Sequence, residues 1–281
     1  IPYGTWYVRE IEQPAGFVLD DTIYPVTIGA DGQVVEIKIV NKYVRGNIHL
    51  TKVDSEYPDN KLTGATFEVY KDSNGSGKLD SGDELLGTLT EKEKGEYSMN
   101  DLFHGRYFVK ETKAPEGFVL DTGVYEVMID TNGKTYEVEN KAGVGFINEA
   151  MRGNLKIVKT SSDGKVKGFA FRITGANGYD IILETNDKGE IFIDGLRIGD
   201  YTISEVSNSA SSMYVIPADK KATVKIGSTT IVEMHNLLRD TPKTGDTTNL
   251  PLLYALAGLS AVGIAVCGVI GFKKKKKEDR D

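Results

Sequence analysis

Gly105-Arg106-Tyr107-Phe108-Val109-Lys110-Glu111, continued by Pro115-Glu116-Gly117-Phe118-Val119-Leu120-Asp121, is the second appearance of one pattern in this chain. Gly4-Thr5-Trp6-Tyr7-Val8-Arg9-Glu10 and Pro14-Ala15-Gly16-Phe17-Val18-Leu19-Asp20 precede it at a constant offset of 101 residues. Part of it returns downstream at a constant offset of 94, where Gly95-Glu96-Tyr97, Leu102, Gly105, Tyr107 and Glu111 match Gly189-Glu190-Ile191, Leu196, Gly199, Tyr201 and Glu205. Working backwards, Gly46-Asn47-Ile48-His49-Leu50-Thr51-Lys52 matches Gly153-Asn154-Leu155-Lys156-Ile157-Val158-Lys159. Gly64-Ala65-Thr66-Phe67-Glu68-Val69 likewise matches Gly168-Phe169-Ala170-Phe171-Arg172-Ile173. Self-similarity at a fixed offset marks a chain of repeated structural units. The expected division is a half unit over 1–45, full units over 46–152 and 153–239, and a different segment over 240–281. Because residues 1–45 match only the second half of a unit and the chain opens on Ile, the expectation is a C-terminal piece of a longer protein.

Within each unit the pattern is that of strands. Residues 34–40, 49–53, 66–70, 107–111, 124–129, 156–159, 169–173, 201–206 and 223–226 are β-branched or aromatic with partial alternation. Turn signals separate them, such as Asp31-Gly32, Asn132-Gly133, Asp163-Gly164 and Lys188-Gly189. No helical period of useful length appears before residue 250. Short, evenly spaced strands predict tandem small β-sandwiches, an all-β fold. Trp6, in register with Tyr107 and Tyr201, is predicted to be a core aromatic.

Composition narrows the function classes. Among 281 residues, 34 Lys and Arg stand against 41 Asp and Glu, a net charge of −7, which gives no electrostatic footprint for nucleic acid. A hydrophobic content of 40% is too high for a disordered acidic tail. One cysteine excludes disulfides within the chain, and three scattered histidines leave little for a metal centre.

The last 40 residues predict location. Residues 250–272 carry no charge, and a helix of that length, about 34 Å, crosses a bilayer core. Lys273 to Lys277 open a basic tail, 273–281, that marks the cytoplasmic side. Just before the span stands Thr241-Pro242-Lys243-Thr244-Gly245. Pentapeptide, apolar span and basic tail in this order resemble the cell-wall sorting signal of Gram-positive surface proteins, Leu-Pro-x-Thr-Gly, with Thr241 in place of Leu. That resemblance implies a sortase as partner, cleavage after Thr244, and attachment of the Thr244 carboxyl to peptidoglycan or to another pilin subunit. It places residues 1–244 outside the cell, covalently bound to the wall.

The repeats carry a second resemblance. Glu111-Thr112-Lys113-Ala114-Pro115-Glu116-Gly117-Phe118 is close to the Glu-Thr-x-Ala-Pro-x-Gly-Tyr motif of Cna B-type domains, the prealbumin-like or Ig-like sandwiches of adhesins and SpaA-like pilins. In that family a Lys on the first strand bonds covalently to an Asn or Asp on the last, assisted by a buried Glu. Carried onto this chain, the resemblance implies Lys52, Asn148 and Glu111 in the middle unit and Lys159, Asn236 and Glu205 in the third. It also implies Glu10 and Asn41 in the first, whose lysine would lie upstream. The alternative is that these are solvated strand residues.

One insertion stands apart. Asp72, Asn74, Ser76, Lys78, Asp80 and Asp83 fall at the ligand positions of a calcium loop, with Lys78 contributing its carbonyl. An acidic hairpin in solvent is the competing reading, and no other cofactor is called for. The implied role is a structural stalk of a sortase-anchored adhesin, not an enzyme beyond its own bond formation, whose surface or host ligand would be bound by the missing N-terminal region. The alternatives are a SpaA-like pilus subunit or the spacer of a wall-anchored enzyme.

Overall fold

The computed structural model describes residues 1–240. The pentapeptide, the apolar span and the basic tail, and with them the expected transmembrane helix, lie outside the described residues. Among the described residues no helix is long and apolar enough to cross a membrane, and a three-residue 3-10 turn, Ala176–Gly178, interrupts a succession of strands.

The first unit contributes β1 (Gly4–Val8) and β2 (Tyr24–Ile28). The middle unit contributes β3 (Arg45–Asp54), β4 (Thr66–Lys71), β5 (Glu84–Thr88), β6 (Thr90–Glu93), β7 (Glu96–Phe103), β8 (Gly105–Lys113), β9 (Val124–Ile129), β10 (Thr135–Glu137) and β11 (Phe146–Asn148). The third contributes β12 (Arg152–Ser161), β13 (Ala170–Thr174), β14 (Asp180–Glu184), β15 (Glu190–Arg197), β16 (Gly199–Val206), β17 (Tyr214–Val215), β18 (Lys220–Val224) and β19 (Thr229–Leu238).

Each full unit is a sandwich of two sheets. In the middle unit β10-β3-β7-β6, with β11 also on β3, faces β5-β4-β8-β9. In the third, β15-β12-β19-β17 faces β14-β13-β16-β18. Alternation decides which side chains fill the space between sheets. On β3 the inward set is Ile48, Leu50 and Lys52, and on β8 it includes Tyr107, Val109 and Glu111. On β12 and β16 the same positions are Leu155, Ile157 and Lys159, and Tyr201, Ile203 and Glu205. Each core is thus apolar along most of its length and ends in a lysine and a glutamate. Around that end the middle core closes with aromatic rings. Phe67 meets Phe146 with centroids 4.9 Å apart and Tyr97 at 5.3 Å, and Tyr125 meets Phe146 at 5.0 Å.

The repeated glycines have a steric cause. Gly95 and Gly189 sit at φ +71° and +75°, and a Cβ there would stand 2.9 and 2.8 Å from the carbonyl oxygens of Lys52 and Lys159. The tight approach lets the glycine carbonyl accept the N–H of the lysine, at 2.7 and 2.8 Å, which fixes the lysine strand against its neighbour.

Three expectations need correction. Residues 34–40 alternate like a strand but form none, because no ladder partner lies beside them among the described residues. Residues 223–226 overrun β18, which ends at Val224 where the chain enters a turn at Gly227, φ +61°. Trp6 is 43% exposed rather than core. Its strand pairs with β2 alone, so no second sheet covers it among the described residues.

Successive units are joined by a repeated strap. Val44 N–H donates to Gly16 O at 2.8 Å and Val44 O accepts from His104 N–H at 3.0 Å. At the next junction Met151 makes the same two bonds, to Gly117 O at 2.8 Å and from Ile198 N–H at 3.0 Å. The second junction adds an arginine. Arg197 of the third unit grips Asp54 of the middle unit through both carboxylate oxygens, at 2.6 and 2.7 Å, and reaches Glu56 at 2.7 Å. Arg152 pairs with Glu56 as well. Asp54 is fully buried, so this is a desolvated bidentate pair rather than a surface contact.

Candidate functional site: two buried lysine–glutamate–asparagine clusters

In both full units the lysine strand runs parallel to the last strand. Lys52 stands opposite Phe146 and Asp54 opposite Asn148; Lys159 stands opposite Met234 and Ser161 opposite Asn236. The asparagine is therefore two residues beyond the position facing the lysine. With a side-chain period of two, lysine and asparagine share one face of the sheet. The facing sheet adds the glutamate, since Glu111 lies opposite Phe67 on β4 and Glu205 opposite Phe171 on β13.

The middle cluster is closed to solvent. Lys52 and Glu111 are 0% exposed and Asn148 is 2% exposed. Lys52 Nζ donates to Phe146 O at 3.0 Å. Asn148 Nδ2 donates to Glu111 Oε2 at 2.8 Å and to Val119 O at 2.7 Å, and Asp121 N–H donates to the same Oε2 at 2.8 Å. Glu111 Oε1 and Asn148 Oδ1 are buried without a partner. Buried polar atoms in folded proteins are nearly always satisfied, so two orphans in one cluster mark stored unfavourable free energy.

Burial drives both ionisable groups toward their neutral forms. It pushes the Lys52 amine down to about 8, although the charges of Glu111, Asp121 and Asp54 pull the other way. It pushes the Glu111 carboxyl up, and this outweighs the Asp121 N–H, the Asn148 amide and the Lys52 charge.

The third cluster repeats the arrangement with fewer supports. Lys159, Glu205 and Asn236 are all buried. Asn236 Nδ2 donates to Glu205 Oε1 at 2.6 Å, while Glu205 Oε2 and Asn236 Oδ1 have no partner. Lys159 Nζ donates to Thr160 O and sits 4.1 Å from the centroid of the Phe169 ring. Burial lowers the Lys159 amine and raises the Glu205 carboxyl. In the first unit Asn41 Nδ2 donates to Glu10 Oε1 at 2.6 Å, and Asp20 N–H donates to Glu10 Oε2 at 2.7 Å, both in half-buried surroundings.

The 72–83 loop closes on itself. Asp72 accepts from the N–H groups of Ser76 and Gly77 at 3.0 and 3.1 Å, Asn74 Oδ1 from Ser76 N–H at 2.9 Å, and Asp80 from Gly82 N–H at 2.7 Å. Asp83 accepts from Asp80 N–H at 2.9 Å, and the Ser76 hydroxyl donates to Lys78 O at 2.8 Å. The oxygens assigned to calcium thus end on the loop's own donors. Among the described residues no group of three or more His, Cys, Asp or Glu side chains is gathered as a metal site.

The sequence reading missed three residues beside the middle cluster, namely Asp121, Tyr125 and Asn140. A signal existed, because Asp20 and Tyr24 recur as Asp121 and Tyr125 at the offset of 101.

The model of the SpaA prealbumin-like fold domain matches residues 1–43, 46–142 and 153–237. The chain belongs to the SpaA prealbumin-like fold family. A curated relative, the trypsin-resistant surface T6 protein of Streptococcus pyogenes serotype M6, is 26% identical over 204 residues. That match covers 62% of this chain and 35% of the relative, so the chain spans about a third of that protein's length. Among solved structures, the Bacillus anthracis TIE protein is similar with a TM-score of 0.63 and 26% identity, over 84% of this chain and 42% of that one. A streptococcal ancillary pilin is similar at 22% identity and a TM-score of 0.31, over 86% of this chain and 77% of that one. The SpaA units of this chain are therefore all-β prealbumin-like sandwiches.

Proposed function

We propose that the SpaA units are a load-bearing stalk of a surface protein, each full unit locked by a covalent bond between Lys52 and Asn148 or between Lys159 and Asn236. The observation that supports this reading is the buried cluster itself, present twice at the same strand register, with a lysine and a glutamate both biased toward neutrality. A neutral amine is a nucleophile and a neutral carboxyl is an acid. The Lys52 amine attacks the side-chain carbonyl carbon of Asn148, and Glu111, hydrogen-bonded to Asn148 Nδ2, takes the proton the amine gives up and delivers it to that departing nitrogen. Nitrogen–carbon bond formation is matched by loss of the amide nitrogen as ammonia, with Glu111 passing the proton. Two adjacent strands supply the effective concentration, so no separate enzyme is required. The product is a neutral amide where a desolvated charge would otherwise sit.

In this reading the pentapeptide 241–245 is the sortase substrate, and Thr244 joins the chain to peptidoglycan. The family match favours a second reading, a pilus subunit in which Thr244 joins another subunit. The stalk needs no cofactor; calcium at the 72–83 loop is tested by thermal unfolding with and without the metal.

Intact mass of the full chain tests the bond. Each closure removes one ammonia, about 17 Da, as a covalent change. The expected wild-type deficit is two ammonias, falling to one in Glu111→Ala. A wild-type mass equal to that of the sequence refutes covalent locking.

A further inference from the structure

Asp121 belongs to no strand of the sandwich, yet its N–H and both carboxylate oxygens are engaged. Its N–H holds Glu111 Oε2. Its carboxylate accepts from Tyr125 Oη at 2.9 Å, from Asn140 Nδ2 at 2.7 Å and from Gly123 N–H at 2.6 Å. Asn140 in turn brackets the main chain of Ile147, donating to its carbonyl at 2.8 Å and accepting its N–H at 2.7 Å. Ile147 is the residue before Asn148. One carboxylate thus ties the loop that follows β8, the strand of the acid, to the segment that leads into β11, the strand of the acceptor. The first unit begins the same bracket, since Asp20 N–H holds Glu10 and the Asp20 carboxylate accepts from Tyr24 Oη and Thr22 N–H. The third unit lacks it. Ten residues after Glu10 and Glu111 stand Asp20 and Asp121, whereas ten residues after Glu205 stands Val215, and Glu205 is held by Asn236 alone.

We infer that Asp121, anchored by Tyr125 and Asn140, is a positioning residue that orients Glu111 and Asn148 for closure of the Lys52–Asn148 bond, a device the third unit does without. The inference rests on the covalent reading above. Asp121 acts in two ways. Its hydrogen bonds remove the freedom of the segments after β8 and before β11, so that acid and acceptor meet without a search. Its negative charge faces the cluster: burial would raise its own carboxyl, but Asn140, Gly123, Tyr125 and Lys52 outweigh this and keep it ionised. That charge raises both the Glu111 carboxyl and the Lys52 amine. The other ionisable groups around the cluster are Asp54, neutralised by Arg197, and Tyr125, pushed up to about 12 by burial and by Asp121. A surface cleft lined by Asp121, Tyr125, Asn140 and Asn148 gives ammonia a way out beside the bracket.

Cell-free translation of the full 281-residue chain, with acid quenching at intervals and peptide mass mapping, measures both closures in one molecule. Asp121→Ala and Asn140→Ala are expected to slow the Lys52–Asn148 closure about tenfold or more, while Lys159–Asn236 closes at its wild-type rate. Tyr125→Phe, which keeps the ring in the core, is expected to slow it less. Charge and geometry separate in the pH profile of the rate. Asp121→Asn removes a negative charge and moves the profile to lower pH, whereas Asn140→Ala slows closure without moving it. A loss confined to stability would leave the pH profile of Asp121→Asn in place. Variants that close at the wild-type rate and pH overturn the inference alone. A wild type that never loses ammonia overturns the covalent reading beneath it.

Discussion

Lys52 is the residue on which the middle unit turns. A charged amine in an apolar core is costly, and the fold answers by lowering its affinity for the proton to a value of about 8, against 10.5 in the free side chain. The consequence is visible when no bond can form, as in Asn148→Ala. Between those two values the unfolded chain binds the Lys52 proton and the folded chain does not, so stability rises with pH across this window and levels off above it. The expected gain is about 3 kcal/mol from the size of the shift. Denaturant unfolding of Asn148→Ala at a series of pH values checks it, and Asn148→Ala with Lys52→Met serves as the control whose stability should not rise there. Equal slopes in the two would show that Lys52 does not bind its proton as proposed. Glutamate chemistry is tested separately: Glu111→Gln keeps the shape but cannot supply a proton, and its middle unit should retain its full mass by peptide mapping.

At the scale of strands, the Gly-Asn pairs at 46–47 and 153–154 open the two lysine strands. A Cβ on Gly153 would stand 2.0 Å from Lys225 O, and one on Gly46 would stand 2.9 Å from Lys134 O. Main chain cannot yield as a side-chain tip can, so Gly153→Ala must push β12 away from the turn before β19. The expected loss is about 1–3 kcal/mol, the usual range for overpacking, read as an earlier unfolding transition of the third unit by calorimetry. An unchanged transition would mean that the turn relaxes freely. Strand identity itself was legible wherever alternation met a partner: residues 124–129 are β9, and 201–206 lie in β16. It was not legible at 34–40, because a ladder needs a neighbour and hydropathy describes one chain segment at a time.

At the scale of the whole chain, the junction between the middle and third units joins the Met151 strap and the Arg152–Glu56 pair to a buried ion pair made by Arg197. Removing Arg197 leaves Asp54 buried and unpaired, a change that costs about 3–5 kcal/mol when a desolvated pair is broken. Arg197→Ala is therefore expected to destabilise the middle unit, although the substitution lies in the third. Arg197→Lys keeps the charge but not the two-pronged geometry and is expected to fall between. Calorimetry of the full chain reads both, with a middle-unit transition that drops in Arg197→Ala as the expected result and one that stays put as the refuting result. The arrangement also connects to the cluster, since Asp54 pairs with Asn148 on the adjacent strand and Ser55 N–H donates to Asn148 O at 3.1 Å. In the proposed stalk, load passed through Arg197 would reach the strands that carry Lys52 and Asn148.

Lys52, Glu111 and Asn148, with their counterparts in the other units, were named by a family resemblance, whereas the repeat and the all-β class were carried by the sequence alone. They could be, because recurrence at a fixed offset and alternation along a strand are properties of order, and order is what a sequence records. The Asp121–Tyr125–Asn140 bracket and the Arg197–Asp54 grip were not, although Asp20 and Tyr24 repeat the first of them. Asp121 and Asn140 are 19 residues apart and Arg197 and Asp54 are 143 apart, with no spacing rule to join them. Only the closing of two sheets, and the docking of one sandwich on the next, brings those groups within a hydrogen bond and removes the water that would otherwise weaken it.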